Sequence, residues 1–119
     1  MKAIFDRTGR VVAWLNDTNI HNLTGEHLAV VNNGSTYNHV GGHLGVFVDS
    51  VFRDHRGGVV AFLRGARMGP IPPILGVQPV PPILAIPPVP AIPATPPIPA
   101  IHSLGWGADW DNYISAKHV

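Results

Sequence analysis

The stretch that decides the fold is IFDRTGRVVAWL, residues 4–15. Two short apolar runs, rich in β-branched and aromatic residues, flank a polar segment that ends at Gly9. Strand-forming residues on both sides of a glycine-containing turn are typical of a β-hairpin. We expect strands at 4–6 and 11–15, joined by Thr8-Gly9 as a two-residue turn in which glycine supplies the positive φ that a type I′ turn needs.

The same pattern returns every sixteen residues, in four copies that fill about residues 3–66. Five columns keep this register without a gap, and each column keeps one kind of residue. The columns are Gly9, Gly25, Gly41 and Gly57; Ala13, Ala29, Gly45 and Ala61; Val12, Leu28, Leu44 and Val60; Trp14, Val30, Val46 and Phe62; and Leu15, Val31, Phe47 and Leu63. Such a repeat indicates one supersecondary unit used four times. We therefore expect an all-β domain of four β-hairpins.

The hairpins must pack on one another, because a single hairpin is only marginally stable in water. The column that contains Ala13 is small in all four copies, which predicts a crowded place where backbones approach closely. A closed, pseudo-four-fold, petal-like arrangement would explain this column and would leave few free strand edges. An open eight-stranded meander is the alternative, and it would leave an exposed edge.

The second half of the chain has a different composition. All thirteen prolines lie between Pro70 and Pro99, and residues 68–101 contain no Asp, Glu, Lys or Arg. We therefore divide the chain into a β-repeat domain (1–67), a Pro/Ile-rich tail (68–102) and a Trp-rich segment (103–119). Within the tail, every third residue is β-branched: Ile71, Ile74, Val77, Val80, Ile83, Ile86, Val89, Ile92, Thr95, Ile98 and Ile101. Polyproline II has three residues per turn, so these side chains would form one stripe.

A straight tail in this conformation would extend about 95 Å at ~3.1 Å per residue, whereas a domain of this size is only ~20–30 Å across. On that reasoning the domain cannot cover its own tail. We expect the stripe to pack on another tail, another subunit or a foreign surface, because apolar strips of this size are rarely left in water. A disordered Pro-rich linker is the alternative. A transmembrane span is excluded because polyproline II leaves its backbone groups without hydrogen bonds in hydrocarbon.

The Trp-rich segment places Trp106, Trp110 and Tyr113 at positions i, i+4 and i+7. This spacing predicts a short helix, over about 108–117, with one aromatic face. The helix would be either a plug for its own domain or an anchor on a partner, because Trp and Tyr dominate interface hot spots.

The opening unit, its four copies, the Pro-rich tail and the Trp-rich terminus together resemble the bacterial four-fold β-flower proteins. Residues 4–15 and 59–63 carry the most specific part of the resemblance. It implies four β-hairpins arranged like petals about a pseudo-four-fold axis. It implies no activity and no functional residues.

Chemistry is hard to find in the repeat. His27 and His43 are equivalent, as are His39 and His55, and imidazole is a common metal ligand. However, neither column is filled in all four units, so we expect no metal or cofactor. Equivalents of Asp6 are an Asp or an Asn in every copy, which is typical of a side chain that caps its own turn. With no cysteine and no catalytic motif, we do not expect an enzyme.

Three functional hypotheses remain. The first is a structural protein that self-associates, into an oligomer or a filament, through the β-repeat domain and the tail. The second is an adaptor whose Pro-rich tail or aromatic terminus docks on a partner protein; residues 67–73 fit the basic-x-x-Pro-x-x-Pro pattern that SH3-type grooves bind. The third is a carbohydrate- or peptide-binding surface built on Trp14, Tyr37, Phe52 and Phe62.

For the first two hypotheses, the residues expected to make contact are Ile74, Val77, Val80, Ile83, Ile86, Val89, Ile92, Ile98, Ile101, Trp106, Trp110 and Tyr113. A net charge of +1 gives no reason to expect nucleic acid. The first residues lack the apolar run of a secretory signal, which favours the cytoplasm, with export by a signal-less route as the alternative.

Overall fold

The computed structural model describes residues 1–67, 73–76, 78–88, 92–97, 100–103 and 105–115. Eight strands and one helix follow in chain order: β1 (Lys2–Phe5), β2 (Val11–Asn16), β3 (Asn19–Asn22), β4 (His27–Asn32), β5 (Ser35–Tyr37), β6 (His43–Val48), β7 (Val51–Arg53), β8 (Val59–Leu63) and α1 (Trp110–Ile114). Consecutive strands form hairpins 1 to 4, namely β1–β2, β3–β4, β5–β6 and β7–β8. Every strand pairs antiparallel with the next, and β8 pairs with β1. The sheet is thus a closed barrel, which confirms the closed arrangement and rules out the open meander.

The repeat builds the core of the barrel. Four columns share one apolar cluster with α1: Ile4, Ile20 and Phe52; Val12, Leu28, Leu44 and Val60; Ala13, Ala29 and Ala61; and Leu15, Val31, Phe47 and Leu63. Two of these columns have a residue outside the apolar cluster in their third copy. These residues are Thr36 and Gly45, both in hairpin 3. Among the described residues, no helix has the length and apolarity to cross a bilayer.

The predicted crowding in the small column is confirmed at Gly45. A Cβ at this position would clash with the carbonyl oxygen of Arg53 and would lie 2.8 Å from Cε1 of Tyr113. Tyr113 belongs to α1, so the third copy has glycine in place of alanine where the helix enters the core. The irregularity of hairpin 3 therefore makes room for an element outside the repeat.

The tight turns within the hairpins differ from the predicted type I′. In the first, the carbonyl of Asp6 accepts a hydrogen bond from the N–H of Gly9 at 3.0 Å. Only Gly9 has positive φ, whereas a type I′ turn requires it at both central residues. The glycine is instead the last residue of a four-residue turn, residues 6–9, and lies next to a break in register between β1 and β2, as in hairpins with a glycine bulge. The prediction for Thr8-Gly9 is therefore wrong.

The turn is held by the carboxylate of its first residue. Asp6 Oδ1 accepts from the N–H groups of Thr8 and Arg10, at 2.9 and 3.2 Å. Asn22, Asn38 and Asp54 repeat this capping in the other three hairpins. The predicted capping by this column is confirmed. Type I′-like dihedrals occur between hairpins instead, where both Asn33-Gly34 and Asp49-Ser50 have positive φ.

The tail follows the barrel, so the inference that the domain cannot cover its tail is wrong. The backbone N–H groups of Gly76, Ala85, Ala94 and Ser103 donate to the carbonyl groups of Gly9, Gly25, Gly41 and Gly57, at 2.8–3.0 Å. Each sixteen-residue unit of the barrel thus binds one nine-residue unit of the tail. The earlier inference failed because it assumed a straight rod.

The dimensions of the molecule accommodate this course. The molecule is a disc of 37 × 36 × 21 Å. Three quarters of a circle of that width is about 85 Å, and the 27 residue-to-residue steps from Gly76 to Ser103 would cover about 84 Å at the rise of polyproline II. A chain with that rise therefore has the length to connect the four turns along the rim, although the polyproline II conformation itself stays a prediction.

Helix α1 is shorter than predicted and plugs the barrel. It spans Trp110–Ile114, and the side chain of Asp109 caps it by accepting from the N–H of Asn112 at 2.8 Å. Trp110 and Tyr113 are buried in the barrel core, and Trp110 meets Phe52 edge-on. Residues 116–119, at the predicted end of the helix, lie outside the described residues.

A second apolar cluster lies outside this core, on hairpins 1 and 4. Its buried members are Ala3, Phe5, Val11, Trp14, Val51, Val59 and Phe62. At the equivalent positions of hairpins 2 and 3 several residues are polar, among them His21, His27, Ser35 and His43. The backbone and the core of the barrel therefore follow the four-fold repeat. Its outer face is mainly apolar on hairpins 1 and 4 and more polar on hairpins 2 and 3.

Candidate interaction surface

The apolar stripe of the tail faces solvent. Its described members are 92–96% exposed, apart from Val80 at 89%; they are Ile74, Val80, Ile83, Ile86, Ile92 and Ile101. We call these six residues the rim stripe. Val77, Val89 and Ile98 lie outside the described residues, as does most of the predicted SH3-binding segment at 67–73. The half-buried residues of the tail are Pro73, Leu75, Pro82, Leu84 and Ala100, so it turns a different face to the barrel.

Contacts with the hairpin turns fix this orientation. A Cβ at Gly9 or Gly25 would clash with the carbonyl oxygen of Ile74 or Ile83, and Gly57 has the same relation to Ile101. Each of these glycines also has φ between +84° and +98°, a region that side chains rarely adopt. Because the isoleucine backbone is pressed against the turn, its side chain points away from the barrel. The glycine column is thus needed for both the turn and the tail.

The sequence contains a signal for this register that the three-residue period obscures. A residue that donates its backbone N–H cannot be proline. Positions 76, 85, 94 and 103 are Gly, Ala, Ala and Ser, although prolines surround them. A nine-residue period of non-proline residues, matched to four turns, would have revealed that the tail belongs to the barrel.

Hairpin 4 and hairpin 1 fasten the aromatic terminus. Asp54 Oδ2 accepts from the N–H of Ala108 at 2.9 Å, and the Arg7 guanidinium donates to the carbonyl of Gly107 at 2.6 Å. Arg53, which is fully buried, donates to the carbonyls of Gly57 and Ser103, both at 2.7 Å. These contacts place the terminus on its own barrel.

Two of the three aromatic residues proposed for partner binding are therefore not available in this structure. Trp110 and Tyr113 are buried in the core, as the plug hypothesis expects, and Trp106 is half-buried beside Phe62. Burial raises the pKa of the Tyr113 phenol well above its ordinary value. The nearby Thr36 hydroxyl opposes this rise slightly, although the two hydroxyls do not reach hydrogen-bond geometry.

The histidines form two pairs, but not between equivalent positions. His27 Nδ1 lies 2.9 Å from His39 Nε2, and His43 Nδ1 lies 2.9 Å from His55 Nε2. Each pair joins one hairpin to the turn of the next. Among the described residues, no group of three or more His, Asp or Glu side chains is placed to hold a metal ion.

The proton order of the first pair follows from its neighbour. Asn19 Oδ1 lies 2.9 Å from His27 Nε2 and accepts a hydrogen bond from its N–H group. The other ring nitrogen, His27 Nδ1, therefore accepts a hydrogen bond from the Nε2–H of His39. Burial, followed by the imidazoles of His39 and His21, lowers the pKa of His27. The pair is thus a hydrogen-bonded clasp in which the neutral form of His27 is favoured.

The third hypothesis loses its basis. Trp14, Tyr37, Phe52 and Phe62 are all buried, so none of their rings is offered to a sugar or a peptide. The exposed apolar surface lies on the tail instead. A run of six uncovered Ile and Val side chains, on a segment without charge, has the character of a protein interaction surface.

Comparison with known proteins identifies a family but no activity. The family model described as "4-fold beta flower protein" matches residues 2–114. No curated protein and no solved structure matches the chain. The description names an arrangement of strands and no reaction, ligand or partner.

Proposed function

Starting from the fact that the chain belongs to the 4-fold beta flower family, we propose that it is a non-catalytic assembly protein that self-associates through the rim stripe into an oligomer or a filament. The observation that carries this proposal is the exposure of 89% or more at all six members of the stripe. The barrel hydrogen-bonds to the tail and yet leaves the Ile and Val side chains of the rim stripe in water.

The chemistry of the stripe suits a second copy of the same chain. Residues 68–101 carry no charge, so two stripes can meet without like-charge repulsion or buried unpaired ions. Fully burying an Ile or Val side chain contributes about 1.5–3 kcal/mol. Several such residues are needed to offset the roughly 4–15 kcal/mol that association costs in lost freedom of motion. The stripe supplies six.

Light scattering coupled to size exclusion tests the proposal. We expect the wild-type chain to form a species larger than a monomer, and the double variant Ile83→Lys/Ile86→Lys to be monomeric. A matched control is Gln78→Lys/His102→Lys, which adds the same charge at two exposed polar positions of the tail outside the three-residue period of the stripe. The control should assemble like the wild type. A wild-type monomer at high concentration contradicts self-association.

An adaptor that docks on a foreign protein is the second candidate, because the same exposed stripe would serve it. In that case the wild-type chain is monomeric, and a partner protein is lost by Ile83→Lys/Ile86→Lys and kept by the control. The mass of the purified wild-type chain therefore distinguishes the two candidates: it is oligomeric in the first and monomeric in the second.

A further inference from the structure

A cleft of about 490 Å³ lies on the outer face of the barrel, where hairpin 2 meets hairpin 3 under the tail. Its lining includes Asn19, Val30, Tyr37, His39, Pro87 and Pro93. The cleft is in the size range of small-molecule sites, roughly 300–1,000 Å³. It is separate from the rim stripe, none of whose residues lines it.

The repeat explains why this cleft is open. Val30 is equivalent to Trp14 in hairpin 1 and to Phe62 in hairpin 4, and both of those rings are buried on the outer face. Trp14 lies between Ala3 and His21 in the sheet, whereas Val30 lies between Asn19 and Tyr37. Hairpin 2 therefore has the site of an aromatic ring without the ring.

Hairpin 3 shows that a valine alone does not create such a cleft. Val46 holds the equivalent position, but the cavity beside it measures only about 20 Å³. Val46 pairs with Arg53, whose long side chain is fully buried and donates to the carbonyls of Gly57 and Ser103. At the cleft, the residue that pairs with Val30 at the equivalent position is Tyr37.

The lining restricts the chemistry of an occupant. Pro87, Pro93 and Val30 offer apolar surfaces suited to a flat ring, while Asn19 and His39 place amide and imidazole groups at its edge. None of the described lining residues is Asp, Glu, Lys or Arg, so no permanently charged side chain there compensates a charge on the ligand. An uncharged ring with one polar group matches both surfaces.

We propose that this cleft binds a small uncharged aromatic molecule, of the indole or phenol class, whose ring lies over Val30 where Trp14 and Phe62 lie in their own hairpins. The polar group of the ligand then hydrogen-bonds at the edge formed by Asn19 and His39. The proposal is independent of self-association through the rim stripe.

Titration of the full-length chain with indole and with phenol tests it, followed by calorimetry and by the chemical shifts of the Val30 methyl groups. Cyclohexanol, which has a hydroxyl but no aromatic ring, is the control ligand. We expect saturable binding of at least one aromatic probe, contacts from its ring protons to Val30, and at least tenfold weaker binding of cyclohexanol. No saturable binding of either probe, or contacts elsewhere on the barrel, overturns the proposal.

The variant Val30→Trp supplies the missing ring from the chain itself. We expect it to weaken binding of the probe at least tenfold, because the indole fills the cleft. Val48→Trp adds the same side chain at an exposed position of β6 and should bind like the wild type. Retention of binding by Val30→Trp overturns the proposal. If this variant does not fold, the methyl contacts in the wild-type chain decide the question.

Discussion

The carboxylate of Asp54 holds the backbone N–H of Ala108 at 2.9 Å with Oδ2 while it caps its own turn with Oδ1. Its equivalents Asn22 and Asn38 have only one side-chain oxygen, and that oxygen caps the turn. The amide nitrogen of Asn22 donates to Glu26 in the same turn, at 3.4 Å. Asp rather than Asn at this position of hairpin 4 is therefore explained by the attachment of the terminal helix, which needs the second carboxylate oxygen.

We predict that Asp54→Asn loosens the plug without disturbing the turn. The amide retains Oδ1 but places an NH₂ group opposite the N–H of Ala108, so one hydrogen bond to a charged group is lost. The free energy of unfolding should fall by about 1.5–3 kcal/mol, measured by urea denaturation with tryptophan fluorescence as the signal.

Asp6→Asn is the matched control for this substitution. The Oδ2 of Asp6 lies 3.7 Å from the exposed guanidinium of Arg10 and bonds to no other element within the described part of the chain. Its loss should cost about 0–1 kcal/mol, as for other surface ion pairs. Equal losses in the two variants would mean that the bond to Ala108 contributes nothing.

Gly9→Ala should detach the first unit of the tail. Alanine at positive φ costs about 1–2 kcal/mol, and the new Cβ would also clash with the carbonyl of Ile74. Gly65 has nearly the same φ, +86° against +84°, and nothing within 4 Å of an added Cβ. The destabilisation of Gly9→Ala beyond that of Gly65→Ala therefore measures the tail contact.

Hydrogen exchange reports this contact directly. The N–H of Gly76 donates to the carbonyl of Gly9, so its protection should fall in Gly9→Ala and stay unchanged in Gly65→Ala. Unchanged protection in both variants would refute the role of the glycine column in seating the tail.

At alkaline pH, Tyr113 should make the fold less stable. Its pKa is raised in the folded chain, so above its ordinary pKa of about 10 the unfolded chain releases a proton that the folded chain retains. The free energy of unfolding then decreases as the pH rises through that value. Tyr113→Phe removes the group and should reduce this decrease, measured by urea denaturation at about pH 8 and pH 10.5. An identical slope in the variant contradicts the prediction.

Acid should weaken the clasp between hairpins 2 and 3. Because the pKa of His27 is lowered in the folded chain, the unfolded chain binds more protons as the pH falls through about 6.5, and stability is lost there. A proton on His27 Nδ1 sets this N–H group against the Nε2–H group of His39, which breaks the hydrogen bond between the rings.

The repeat itself supplies the variant for this test. Hairpin 1 has Val11 and hairpin 2 has Leu23 where the clasp has His27 and His39. In His27→Val/His39→Leu, the loss of stability between about pH 7.5 and pH 5 should be smaller than in the wild type. An unchanged loss would assign the acid sensitivity to other groups.

The sequence predicts the barrel well because sixteen-residue columns translate directly into faces of strands. The small column, the capping by Asp6 and its equivalents, and the aromatic face of the terminal helix all follow from such local rules. The turn type was missed because a capping Asp side chain and a following glycine serve a bulged turn as readily as a type I′ turn.

The course of the tail was out of reach for a different reason. A three-residue period describes the shape of an isolated chain but not what that chain binds. Only the hydrogen bond from Gly76 to Gly9, and the three equivalent bonds at the other hairpin turns, show that the tail follows the four-fold repeat of the barrel. The cleft beside Val30 likewise depends on Tyr37, its partner in the next strand. The other three copies of the repeat have a different residue at the position of Tyr37, so the repeat does not predict the cleft.

The two registers also constrain how such a chain can evolve. A fifth petal would require sixteen new residues in the barrel and nine more in the tail, at two separate points in the gene. No single tandem duplication provides both. Deletions of two, three or five residues just ahead of Ala85 would bring Pro87, Pro88 or Pro90 to the carbonyl of Gly25, which needs an N–H donor. We therefore expect the number of petals to be preserved even where individual side chains drift.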